Sequence, residues 1–162
     1  MSKAYKVVGI GNAIVDVFAK CDDTFLTDNG VEKGIMQLID TARAADLYGA
    51  MAAETEISGG SAANTIAGLS MLGVKSAFVG KVKDDQLGSV FAHDIRAQGA
   101  EFNTPMVDAG HQDETGRSMI LVSPDGERSM NTYLGVANQL AVSDIDPKLM
   151  ANTDWLYLEG YL

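Results

Sequence analysis

Asp16 lies within the apolar run Ala13-Ile14-Val15-Asp16-Val17-Phe18-Ala19. A carboxylate carried into such surroundings needs partners, either protein donors or the hydroxyls of a bound polyol. Asn12 precedes it by four residues. A second polar constellation is Gly59-Gly60-Ser61-Ala62-Ala63-Asn64. Paired glycines at a helix entry leave backbone N–H groups free to face a ligand, and the helix dipole favours an electron-rich atom there. Asn64 would fall in the first turn, with its amide within reach of the same spot. The competing reading is an ordinary glycine-rich helix start with Asn64 bonded to local backbone. Chemistry alone leaves the two level.

Other chemistries find less support. Gly9-Ile10-Gly11 follows a strand-like run, but a dinucleotide fingerprint needs a third small residue where Ile14 stands, and a helix where the sequence alternates as a strand. No phosphate-loop Gly-x-x-x-x-Gly-Lys-Ser/Thr motif occurs, since Gly80-Lys81 runs on to Val82. His93 and His111 are isolated from each other and from Cys21, which is the only cysteine. That composition excludes an internal disulfide and a cysteine-rich zinc site, and no metal site is expected. Asp84 and Asp85 read as the cap and first-turn residues of a helix rather than as a metal pair. Arg128 is either a surface cation or an anchor for a ligand phosphate. Met36, Met106, Met119 and Met130 read as adaptable packing. The net charge of −10 argues against nucleic acid as a partner. No run approaches the roughly 20 apolar residues of a membrane span, so a cytoplasmic chain with a reduced thiol is expected.

These residues must be positioned by elements that the pattern also suggests. Strands are expected over 6–11, 13–19 and 35–39, with Ile14, Asp16 and Phe18 on one face and Val15, Val17 and Ala19 on the other. A helix over 41–53 would start at Thr41. A short extended piece covers 55–57, and a helix runs from Ser61 to Leu72 with Gly73 as its stop. A strand over 74–82 and a helix capped by Asp84 and reaching Gln98 follow. This β-α-β-α order predicts a parallel sheet with covering helices. Residues 117–134 predict a hairpin around Pro124-Asp125-Gly126-Glu127. Pro147 should open a helical turn over 147–152, and Trp155-Leu156-Tyr157-Leu158 reads as a strand buried on both faces. An apolar strand so near the last residue suggests an interrupted α/β fold.

Taken together, the segments resemble the ribokinase-like, or PfkB, family of carbohydrate and nucleoside kinases. The resemblance rests on Gly59, Gly60, Asn64, Gly73 and Gly80 in GGSAANTIAGLSMLGVKSAFVGKV, with GIGNAIVDV before it and VGKVKDDQLG and TGRSMILVSPDGERSMNTYLGVAN after it. Four ordered segments agree over nearly the whole chain. Within the family the opening and the Gly-Glu-Arg-Ser hairpin are most similar to the adenosine kinases. The implied fold is α/β, ribokinase-like, a mostly parallel sheet with flanking helices plus a small β lid. About 12–20, 35–39 and 117–134 would belong to the lid and the remainder of 1–162 to the core. The implied activity is ATP-dependent phosphorylation of a primary 5′ hydroxyl on a nucleoside, adenosine foremost. Alternatives are a sugar kinase acting on ribose, fructose or ketodeoxygluconate, and a short non-catalytic binder of ribosyl ligands.

By that resemblance Asn12 and Asp16 hold ribose hydroxyls. Gly59, Gly60, Ser61 and Asn64 line the same pocket, Arg128 reaches toward it, and Met36 belongs to the lid. A homodimer through the lid is possible in such a family. The family's catalytic base lies in a Gly-Ala-Gly-Asp motif that does not occur in these 162 residues. ATP and Mg2+ would be held mainly by segments that this sequence lacks, so the expectation is an N-terminal part with no catalytic residue of its own and no turnover alone.

Overall fold

The computed structural model describes residues 3–160. In chain order its strands are β1 (Tyr5–Ile10), β2 (Ile14–Lys20), β3 (Met36–Leu38), β4 (Thr55–Gly59), β5 (Ser76–Val79), β6 (Gly116–Val122), β7 (Arg128–Tyr133) and β8 (Thr153–Leu158). Its α-helices are α1 (Asp23–Asp28), α2 (Thr41–Ala50), α3 (Ser61–Met71), α4 (Gln86–Ala97) and α5 (Pro147–Ala151). The strands divide into two sheets. One is parallel, in the order β5-β1-β8, and the other is mixed, in the order β3-β7-β6-β2-β4.

The Gly11-Asn12 link therefore passes the chain from one sheet to the other, since β1 and β2 do not pair. The mixed sheet also takes in Thr55–Gly59, which the sequence reading leaves with the α/β part. β4 enters it antiparallel to β2, with Gly59 opposite Ile14 and Ile57 opposite Asp16. The expected hairpin is present as antiparallel β6 and β7, and Gly126 at its tip has φ +85°.

Local chemistry moves several boundaries. The carboxylate of Asp40, not the hydroxyl of Thr41, caps α2 by accepting from Arg43 N–H at 2.8 Å. Asp85, not Asp84, caps α4 by accepting from Gly88 N–H at 2.8 Å. The backbone N–H of Asp84 is spent on Val107 O instead. The helix expected over 41–53 stops at Ala50, and the strand expected over 74–82 shortens to Ser76–Val79. Helix α1 has no counterpart in the sequence reading.

The parallel sheet is packed differently on its two sides. Buried Ala62, Ala63, Ile66 and Ala67 of α3 cover one face, and Phe78, Phe91 and Phe102 cluster with ring centroids 5.3 to 6.1 Å apart. Val8, Ile10, Ala77 and Val79 form a smaller core on the other face, against Leu140, Ile145, Leu149 and Met150. β8 forms as expected but is not buried on both faces: Trp155 is 67% and Leu158 58% exposed, because among the described residues only β1 pairs with it.

Candidate functional site

Strand register gives the mixed sheet a front and a back. Residues paired across a sheet share a face, so Asp16 shares its row with Ile57, Ser118, Thr132 and Leu38. The neighbouring row holds Phe18, Ile120, Met130 and Met36. This front carries the exposed Met36, Leu38 and Ile57. The alternate residues Val15, Val17, Ser58, Arg117, Met119 and Asn131 form the back, which is buried.

Asp16 is the charged group at the centre of the front. Burial pushes its carboxyl up to about 6, and the charge of Arg128 pulls it part of the way back. Among the described residues no group donates a hydrogen bond to it. The carboxylate lies against Gly59, where a Cβ would overlap it. Gly60 answers a different need. Its φ of +96° is in the left-handed region, and a Cβ there would strike the carbonyl oxygen of Asn12. The two glycines thus let β4 and α3 close on the Asn12–Asp16 segment.

Asn12, Asp16, Gly59, Gly60 and Ser61 are brought together by these contacts. Asn64 follows one turn into α3, with its N–H bonded to Gly60 O and its exposed side chain not bonded to local backbone. Arg128 is exposed at the end of β7 and reaches Asp16 by its field only. Met36 is on the same front, but three strands from β2. Asn12 also borders an apolar hollow of about 510 Å3 with Ile10, Leu140, Met150, Leu156 and Leu158.

Three contributors were not singled out in the sequence. Ser118 and Thr132 stand beside Asp16 on the front, their hydroxyls 2.9 Å apart. The alternation of β6 and β7 held that signal, but it needed the register. Glu159, directly after β8, is buried, and its carboxylate accepts from Asn12 N–H at 2.6 Å, from Ala62 N–H at 2.8 Å and from the Ser61 hydroxyl. Its only sequence mark is an acidic residue at the end of an apolar run.

A hollow of about 270 Å3 opens where the front meets the 3-10 turn at 135–139, lined by Leu38, Thr132, Leu134, Gly135, Asn138 and Gln139. At ~4.8 Å per strand, Leu38 is roughly 14 Å from Asp16 along the row. A larger cleft of about 570 Å3 lies between β5 and α5 and contains none of the expected residues. Among the described residues no three His, Cys, Asp or Glu side chains are grouped to hold a metal. The described residues do not fit a Mg2+ centre. Also among the described residues, no helix is long and apolar enough to cross a membrane.

Comparison with known proteins agrees with this arrangement. Residues 34–162 match the model of the pfkB family carbohydrate kinases. The crystal structure of an adenosine kinase from Sinorhizobium meliloti superposes with a TM-score of 0.88 at 54% identity, over 98% of this chain and 48% of that one. A probable sugar kinase from Rhizobium etli gives 0.88 at 48% identity, over 99% and 48%. The ATP-dependent ribose-1-phosphate kinase of Halopiger xanaduensis is 30% identical over 121 residues, covering 74% of this chain and 40% of that protein. The chain thus spans about half the length of the solved structures and less than half of the curated relative.

Proposed function

The chain belongs to the pfkB family of carbohydrate kinases, and from that premise we propose that it is the substrate-gripping part of an ATP-dependent phosphotransferase acting on the primary hydroxyl of a nucleoside, adenosine foremost. The observation that carries the proposal is the Asp16 carboxylate, largely buried on the front of the sheet with no protein donor among the described residues. A charged acceptor left in that state is stabilised by hydroxyl donors from a ligand. Vicinal ribose hydroxyls supply two such donors on one rigid ring.

In this reading the neighbouring residues take roles around that contact. Gly59 and Gly60 keep the approach to Asp16 narrow, and Ser61 and Asn64 add polar groups at the start of α3. Gripping the ring at its secondary hydroxyls leaves the primary one free to be presented to a phosphate donor. Phosphoryl transfer depends mostly on such positioning and on stabilising the charge of the moving group. Kinases of this family use ATP and a divalent cation, and that half of the chemistry needs groups that the described residues do not assemble. Asp16, engaged with the secondary hydroxyls, is not available as the base. We therefore expect no turnover from the 162-residue chain by itself. An ADP-release assay tests this, and a rate comparable to that of a longer relative would overturn it.

The hollow by Leu38 and Leu134, lined also by Thr132, Asn138 and Gln139, favours a nucleoside over a bare sugar, because a base could extend from the ring toward its apolar and hydrogen-bonding groups. A sugar-kinase reading is favoured instead by the Asp16 contact itself, which addresses only hydroxyls. Calorimetric titration with adenosine, ribose and fructose separates them. Leu38→Asp should weaken adenosine binding and leave a sugar unaffected. Equal effects on both would remove the hollow from the site.

A further inference from the structure

The start of α3 differs from that of the other four α-helices among the described residues. Asp22, Asp40, Asp85 and Asp146 each cap their own helix, with a carboxylate oxygen accepting from a backbone N–H two or three residues on. The N-cap of α3 is Gly60, which has no side chain to offer. No other residue fits there, because Asn12 O fills the space a Cβ would need and φ is +96°. The acceptor is instead imported from 97 residues away: Glu159 Oε2 takes the Ala62 N–H at 2.8 Å and the Ser61 hydroxyl. Its other oxygen, Oε1, takes Asn12 N–H at 2.6 Å.

We propose that Glu159 is a positioning residue that clamps the Asn12 crossover to the Gly59–Ala62 turn and thereby sets the geometry with which both grip the ligand. The proposal rests on the substrate reading above for its functional half only. Its chemistry is that of an acceptor-only group. Two N–H donors and a hydroxyl converge on one carboxylate, and a carboxylate offers two oxygens and no proton to clash with them. The clamp is also close-packed: at Gly11 a Cβ would meet Glu159 Oε1 at 2.5 Å and Ala62 Cβ at 2.6 Å. Glu159 is only 7% exposed, so its donors have little water to turn to if it is removed. The end of β8 thus acts on the ligand segments through the clamp, without touching the Asp16 row.

The test compares the wild-type chain with Glu159→Gln and Glu159→Ala. It follows amide hydrogen exchange at Asn12 and Ala62 without ligand, then titrates adenosine. Glu159→Ala should speed exchange at both amides. Glu159→Gln has one acceptor oxygen, and its NH2 faces a donor, so it should free one of the two amides and protect the other. Adenosine affinity should fall about 10- to 100-fold in Glu159→Ala and less in Glu159→Gln, the range for losing charge-assisted hydrogen bonds. If Glu159→Ala does not fold, Glu159→Gln carries the test. Wild-type protection at both amides in Glu159→Gln would overturn the clamp. Unchanged adenosine affinity in a variant with freed amides would overturn its positioning role. If the wild-type chain binds neither adenosine nor a sugar, the substrate reading and the ligand half of this proposal both fall. Amide exchange still decides whether Glu159 holds the turns.

Discussion

The two faces of the mixed sheet are built to opposite rules. On the back, polar groups are matched within the protein. Asp94 accepts from the N–H and the hydroxyl of Ser58, both at 2.8 Å, and Gln37 donates to Asn131 Oδ1 at 2.6 Å. Arg117 pairs with Glu114 at 2.7 Å and stacks between Tyr48 and Tyr133. Among the described residues Arg117 Nε and Asn131 Nδ2 have no acceptor, yet each residue is anchored through another of its atoms. On the front, the central carboxylate has no donor among the described residues, and apolar side chains are exposed. Matched polar groups hold a fold, whereas an unmatched buried carboxylate costs stability and is retained where something else supplies its partner.

The comparison breaks most visibly at Gly60. Gly60→Ala would force a Cβ against Asn12 O at a left-handed φ. It should cost about 3 kcal/mol or more of stability in a denaturant melt, the size expected of strain plus overlap. Loss below 1 kcal/mol would mean that the crossover can move aside.

Asp16→Asn sharpens the contrast. The folded-state value of about 6 is above the ordinary carboxylate value. The native state therefore binds more protons than the unfolded one between about pH 4 and 6, and stability falls as pH rises through that window. Removing the charge should raise stability above pH 6 by up to about 3 kcal/mol, the equivalent of a shift of roughly 2 pH units. The gain should vanish near pH 4. Thermal melts across pH check this, and a pH-independent difference would contradict the assigned cause. The ligand should behave in reverse, binding less well as pH drops below about 6.

On the back, Asp94→Ala leaves the Ser58 N–H without its acceptor. It should cost about 1–3 kcal/mol of stability while adenosine affinity stays at the wild-type level. A loss of affinity without a loss of stability would place Asp94 on the functional side. The smallest expected effect is at Arg128. Since its charge lowers the Asp16 value, Arg128→Ala should move the midpoint of ligand binding to higher pH. A downward shift would contradict that coupling.

What was legible in the sequence follows the range of the interactions involved. The alternation of residues 13–19 put Asp16 on the same face as Ile14 and Phe18, because period two is a property of one strand. The helix from Ser61 and the Asp-Gly hairpin were equally local. Helix α1 was not legible, since six residues carry too little periodicity to read. The join of β4 to β2 was missed because pairing across about 40 residues leaves no mark in either segment alone. The capping residues slipped by one position where two side chains able to cap are adjacent, at Asp40-Thr41 and Asp84-Asp85. Glu159 was hidden for the same reason as β4: its meaning comes from Asn12, 147 residues away.

The central claim is that the Asp16 carboxylate accepts hydroxyls of a bound ribosyl ring. The most direct test is calorimetric titration of the chain and its Asp16→Ala variant with adenosine and with 2′,3′-dideoxyadenosine at pH 7.5. Adenosine should bind the wild type at least about tenfold more tightly than the dideoxy compound, and that preference should disappear in Asp16→Ala. Equal affinity of the wild type for both compounds, or a preference that survives in the variant, would contradict the account.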